Sequence, residues 1–209
     1  MLFEPFLSFD AAAFQWIGRV FSPGTSPALD WFFNFVTMLG NSGWFWIALA
    51  VGFLIFKKTR KIGLIMVFAL IFQLLIVNVA MKPLFARPRP YDLEIDWWMQ
   101  AYRAVFPGGA LAKSMPSDMS FPSGHTGASL AAALAWCFGS KKEWVGNARW
   151  VSYIGIVLAA LIAFSRLYLG VHYATDILGG VLAGLACALL AMLLFQWLEP
   201  HIFRPKRIK

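Results

Sequence analysis

The feature that most constrains this chain is the length of its apolar runs. Ile62 to Met81 carries no charged residue, and neither does Ile177 to Leu198. An uncharged run of about 20 residues is what a helix needs to cross the hydrocarbon core of a bilayer. Shorter runs occur at Trp44–Phe56, Gly124–Phe138 and Trp150–Phe164. With 60% hydrophobic and 13% charged residues, the chain has too little polar surface for a soluble domain of 209 residues. The expected fold is therefore all-α: a polytopic membrane helix bundle of five or six spans with an N-terminal amphipathic segment. The five spans are Trp44–Phe56 (starting at Asn41 or earlier), Ile62–Met81, Gly124–Phe138, Trp150–Phe164 and Thr175–Leu198. A sixth requires the first forty residues to cross.

Phe3 to Phe21 mixes apolar residues with Glu4, Asp10, Gln15 and Arg19, the pattern of a helix lying in the interface. Leu29–Leu39 is apolar but too short to span, and Gly40-Asn41-Ser42-Gly43 interrupts it. Neither a repeat nor a low-complexity tract divides the chain. It is expected to form one domain over 1–209, with an interfacial segment over 1–40, a bundle core over 41–198 and a basic cytoplasmic tail over 199–209. The N-terminus has no early Lys or Arg and does not resemble a cleaved signal peptide.

The net charge of +8 lies beside the apolar runs, so topology accounts for it better than nucleic acid does. With five spans, Lys57–Lys61, the loop of Lys141, Lys142 and Arg149, and the tail Arg204–Lys209 fall on one side, which should be cytoplasmic. The N-terminus, the Pro83–Phe121 loop and the Arg166–Thr175 loop then share the other side. Arg87, Arg89, Arg103 and Lys113 run against this charge rule and need another reason to be there. Cys137 and Cys187 read as small buried hydrophobes. Trp44, Trp46, Trp97, Trp98, Trp144 and Trp150 suit an aromatic belt at the interfaces. Gly180 and Gly184 suit close helix packing, and Gln73 and Asn78 are expected to face the bundle interior.

Three clusters on the outer side carry chemistry. Lys82, Arg89 and Arg166 supply cations. Ser123 and Gly124 open an apolar helix, where backbone N–H groups and the helix dipole favour an anion. His125 follows on the same turn. His172 and Asp176 are four apart and share a helical face. A carboxylate there can hold an imidazole in one tautomer and leave its other nitrogen free to attack. Taken singly, each has a plainer reading: snorkelling cations, a helix cap, a structural His–Asp pair. Together they form an anion cradle with a nucleophile and a second histidine, which suffices for phosphoryl transfer.

The clusters resemble the three-part signature of the type 2 phosphatidic acid phosphatase superfamily. Lys-x6-Arg-Pro matches Lys82, Arg89 and Pro90. Pro-Ser-Gly-His matches Pro122, Ser123, Gly124 and His125. Ser-Arg-x5-His-x3-Asp matches Ser165, Arg166, His172 and Asp176. The likeness covers roughly Leu29 to Leu198, with no signature position departing, although a clear N-terminal span of the six-span members is lacking.

The resemblance implies an integral membrane lipid phosphatase working through a phosphohistidine on His172. His125 would be the acid and Asp176 the orienting carboxylate. Lys82, Arg89, Ser123, Gly124 and Arg166 would hold the phosphoryl oxygens. No metal or other cofactor is implied. The partners would be the membrane and a lipid phosphate or diphosphate, with no nucleic acid. The sequence does not set the oligomeric state. The enzyme would sit in the cell membrane with its site on the extracytoplasmic side. The small size and outward site put undecaprenyl diphosphate first among substrates. Phosphatidate, phosphatidylglycerophosphate, or transfer to a second lipid by the same site are the alternatives.

Overall fold

The structure, a computed structural model, describes residues 2–140 and 146–203. The expected basic loop residues Lys141 and Lys142, Trp144, and the tail Arg204–Lys209 lie outside the described residues. The described chain is helical, without strands. Its helices are α1 (Leu7–Phe21), α2 (Pro27–Gly40), α3 (Trp44–Ile55), α4 (Arg60–Gln73), α5 (Asp96–Val105), α6 (Gly124–Gly139), α7 (Ser152–Tyr168) and α8 (Ala174–Ile202). Beyond Gln73, α4 widens into π-helical turns over Leu74–Met81 and ends in a last α-helical turn, Lys82–Phe85. Such local widening is common beside functional sites because it re-aims the residues that follow.

Four helical stretches are long and apolar enough to cross a membrane: Pro27–Ile55, Arg60–Phe85, Arg149–Tyr168 and Ala174–Ile202. The first corrects the sequence reading. Leu29–Leu39 is not a separate short helix, because α2 and α3 form one 29-residue stretch with a kink between them. Ser42 absorbs the kink at φ 50°, ψ 14°, so the polar Gly40–Gly43 segment bends the rod instead of ending it. The division placed at residue 40 thus runs through a spanning helix.

The third expected span, Gly124–Phe138, is the shorter helix α6, which is not among these four and lies at the centre against α4, α7 and α8. Its 16 residues include Ala131, Ala132, Ala133 and Ala135, all fully buried. Small side chains let neighbouring backbones approach, which is how helices gain packing energy in lipid. Gly180 and Gly184 of α8 are needed for this approach. A Cβ at Gly180 would lie 2.8 Å from the Ser123 carbonyl oxygen, and one at Gly184 would lie 2.8 Å from that of Gly127. The other side of α8 exposes Leu178, Leu182, Leu185, Leu189 and Leu193, a helical stripe suited to lipid.

Two tryptophans leave the expected belt. Trp46 and Trp98 are fully buried, and their indole N–H groups donate to Ser129 Oγ (2.9 Å) and the Pro90 carbonyl (2.8 Å). Each is a core residue whose polar atom has found a partner. Trp44, Trp97 and Trp150 remain exposed. Gln73 is buried as expected, whereas Asn78 is exposed.

The two ends of the bundle differ. At one end Lys61 pairs with Glu199 at 2.6 Å, drawing the start of α4 to the end of α8. At the other end α1 folds back onto α5. Leu7, Asp10, Ala11, Phe14 and Ile17, at helical spacing, form the buried face of α1. Phe14 packs against Trp98, Tyr102 and Phe106, while Phe9, Trp16 and Val20 stay exposed.

Candidate active site

The turn between α7 and α8 holds His172. Helix α7 closes with the Leu169 N–H on the Ser165 carbonyl, and Gly170 then adopts φ +72°. The Tyr102 hydroxyl donates to the Gly170 carbonyl at 2.9 Å and fixes the turn from α5. Tyr173 caps α8, its N–H donating to Asp176 Oδ2 at 3.0 Å. Capping therefore places Asp176 one turn below His172, and the same oxygen lies 3.2 Å from His172 Nδ1.

The partners of His172 define its tautomer. Asp176 can only accept at Nδ1 unless it is protonated, whereas Arg89 Nη1, 2.8 Å from Nε2, can only donate. The proton therefore sits on Nδ1, and Nε2 presents a lone pair. His172 is almost wholly buried, and this burial, with Arg89, Arg166 and Lys82 nearby, holds its pKa well below the ordinary value of 6.5.

Lys82, from the last turn after the π-helical stretch, and Arg89, from the loop, converge on Asp118. Arg89 Nη2 donates to Asp118 Oδ1 at 2.5 Å and Lys82 Nζ to Oδ2. The cations are nearly buried, with side chains 9% and 4% exposed, but the carboxylate is 54% exposed. Burial alone would raise the Asp118 carboxyl, but Lys82 and Arg89 overcome it and hold it below the usual carboxylate range. Arg166, buried in α7, donates to Thr37 Oγ1 on α2 at 2.6 Å.

Ser123 and Gly124 stand where expected, at the start of α6, but Ser123 is engaged differently. Its N–H donates to the Asp176 carbonyl at 3.1 Å, and its hydroxyl accepts from the Thr126 N–H at 3.4 Å. The N–H groups of Gly124 and His125 have no partner among the described residues. His125 Nε2 lies 2.8 Å from Asn41 Oδ1, at the kink between α2 and α3. The fold thus gathers Lys82, Arg89, Ser123, Gly124, His125, Arg166, His172 and Asp176 at one end of the bundle.

Two further residues escaped the sequence reading, and a third has a role it did not give. Asp118 is one; it is the only acidic residue between Asp96 and Phe121, a faint signal at best. Ser120 donates its hydroxyl to Asp176 Oδ2. Arg87, outside the signature and open from the sequence to being an extra phosphate contact or an anchor, is neither in the structure. It is 3% exposed and bridges Asp176 Oδ1 (2.6 Å) and Asp10 Oδ2 (2.8 Å). Its guanidinium stacks 3.6 Å above the Tyr173 ring. Asp10 also receives the Thr175 N–H and hydroxyl, tying α1 to the head of α8. Burial pushes the Asp10 carboxyl up, against the pull of Thr175 and Arg87.

This fold and site define a multi-pass helical membrane protein with a neutral histidine, backed by a carboxylate, beneath a cluster of buried cations. The chain belongs to the PAP2 superfamily, whose family model matches residues 62–200. It is 31% identical over 139 residues to an undecaprenyl-diphosphatase of Sulfolobus acidocaldarius, covering 66% of this chain and 58% of that protein. It is 32% identical over 168 residues to a lipid A 4'-phosphatase of Porphyromonas gingivalis, covering 76% and 63%. The matches thus span less than two thirds of those relatives. A transmembrane PAP2 type phosphatidylglycerolphosphate phosphatase from Bacillus subtilis shares the fold, with a TM-score of 0.68 at 24% identity over 96% of this chain and 89% of that one.

Proposed function

We propose that this protein is a metal-independent phosphatase of a membrane lipid phosphate or diphosphate, and that undecaprenyl diphosphate is its substrate. The observation that carries the reading is the His172 tautomer, with Nδ1–H on Asp176 and the Nε2 lone pair beside Arg89. The names of the undecaprenyl-diphosphatase and lipid phosphatase relatives support the substrate class.

In this reading the terminal phosphoryl group displaces Asp118 and settles on Lys82, Arg89, Arg166 and the N–H groups opening α6. His172 Nε2 attacks phosphorus, and the phosphorus–oxygen bond to the leaving group breaks. The leaving oxygen keeps the electron pair and takes a proton from His125. Water then attacks the phosphohistidine and gives a proton to His125, which restores that acid while phosphate leaves and the lone pair returns to Nε2. The buried cations stabilise charge on the equatorial oxygens throughout. Arg87 acts through Asp176, holding its carboxylate in register with Nδ1.

The site lies at the end of the bundle opposite Lys57, Lys58, Arg60 and Lys61. By the positive-inside rule it faces the extracytoplasmic side of the cell membrane. The test is phosphate release from a polyprenyl diphosphate by the purified chain and by His172→Ala. Acid-labile labelling of the wild type, absent in the variant, supports the nucleophile. Undiminished turnover by the variant overturns it.

A further inference from the structure

Lys113 is a loop cation that the reaction described above does not use. It lines a chamber of about 220 Å³ beside the cradle, with Thr37, Asn41, Ser114 and Arg166. The chamber is built in place. The Asn34 side chain donates to the Leu111 carbonyl at 3.1 Å and accepts the Lys113 N–H at 3.0 Å. The Leu111 N–H reaches the Leu169 carbonyl at 3.0 Å. These bonds pin the loop between α2 and the turn that carries His172. Asn34 and Thr37 share one face of α2 at a spacing of three, and Asn41 follows directly at its end, so the three present a polar strip to the chamber.

The lining is selective in charge. It contains two cations and no carboxylate, whereas the larger cavity by α5 is lined by three carboxylates, Asp92, Glu94 and Asp96, and a single cation, Arg103. Lys113 has no carboxylate partner among the described residues. The buried Nε–H of Arg166 has no hydrogen-bond partner there either. A buried donor left without an acceptor is costly, and an incoming anion satisfies it. The chamber also adjoins the leaving-group side of the site, because Asn41 lines it and contacts His125.

We infer that this chamber is a subsite for a second anionic phosphoryl group, the one that remains on the lipid when the terminal phosphoryl group is transferred, with Lys113 as its specificity-determining cation. The inference rests on the phosphatase reading and deepens it, since a monophosphate leaves the chamber without an anion and a diphosphate fills it.

The experiment uses the full chain in detergent with farnesyl diphosphate and farnesyl monophosphate, which differ only by the second phosphoryl group. Lys113→Ala should lower kcat/KM for the diphosphate at least about tenfold more than for the monophosphate, the worth of one charge-assisted hydrogen bond. Lys113→Arg should recover most of that difference. Lys113 is exposed, so neither change threatens the fold. If the wild type hydrolyses both esters and Lys113→Ala affects both alike or neither, the subsite is wrong and the phosphatase reading stands. If the wild type hydrolyses only the monophosphate, the subsite is again wrong. If it releases phosphate from neither ester, the phosphatase reading falls and the subsite with it.

Discussion

The His172–Asp176 pair separates two charged regions of opposite character. In front, Lys82 and Arg89 are nearly buried cations whose common counter-ion, Asp118, is half exposed. Behind, Arg87 is sealed between Asp10 and Asp176, with both carboxylates fully enclosed and the guanidinium stacked on Tyr173. In the proposed mechanism the cations that receive a ligand are those with a weak, replaceable partner, and the cation that holds a carboxylate still is the saturated one. A cation's place in the sequence says less about which role it has than the burial of its partner does.

Several experiments can break or sharpen this contrast. The largest effect belongs to the pair itself: His172→Ala should reduce phosphate release by about a thousandfold or more, as loss of a nucleophile does elsewhere. Arg87→Met should come next. It strands two buried carboxylates and should cost about 3–5 kcal/mol of stability, read by thermal unfolding in detergent. Lys82→Met removes a cation whose partner can turn to solvent. It should barely move the unfolding temperature while raising KM, so equal destabilisation by the two variants would erase the distinction.

The pH profile follows. His172 must be neutral to attack, and its pKa is depressed, so kcat/KM should hold as pH falls through 6.5 and decline only below it. A limb above 6.5 would mean a histidine that is not desolvated. A smaller effect is expected of Asp118→Asn. Freeing the front cations from a half-exposed carboxylate should tighten inhibition by inorganic phosphate roughly two- to fivefold, the range of exposed ion pairs. The least change is predicted for EDTA, which should leave turnover intact. Complete loss, restored by a divalent cation, would show that the buried cations do not supply the charge the reaction needs.

The parts legible in the sequence were those set by short spacing or long composition. His172 and Asp176 lie one helical turn apart, and the uncharged run from Ile62 to Met81 announces a span. What could not be read depends on distant approach. Asp10 meets Thr175 across 165 positions, and Asp118 meets Arg89 only because an irregular loop folds back. Polarity also misled at two places. Gly40–Gly43 looks like a terminus but is a kink, because Ser42 takes up the backbone strain. Trp46 and Trp98 look interfacial but are interior, since hydropathy alone does not say which face of a helix meets protein.

Asp118 has one more consequence, for competition. Its carboxylate is tethered a few ångströms from the cations it neutralises, so the site carries its own anion at high effective concentration. A free phosphate ion diffusing from bulk water must outcompete that resident. A headgroup delivered by a lipid confined to the membrane arrives with its own concentration advantage. If the site works as proposed, the resident would act as a filter that favours tethered substrates over dissolved ones, and its return after turnover would help to expel the inorganic product.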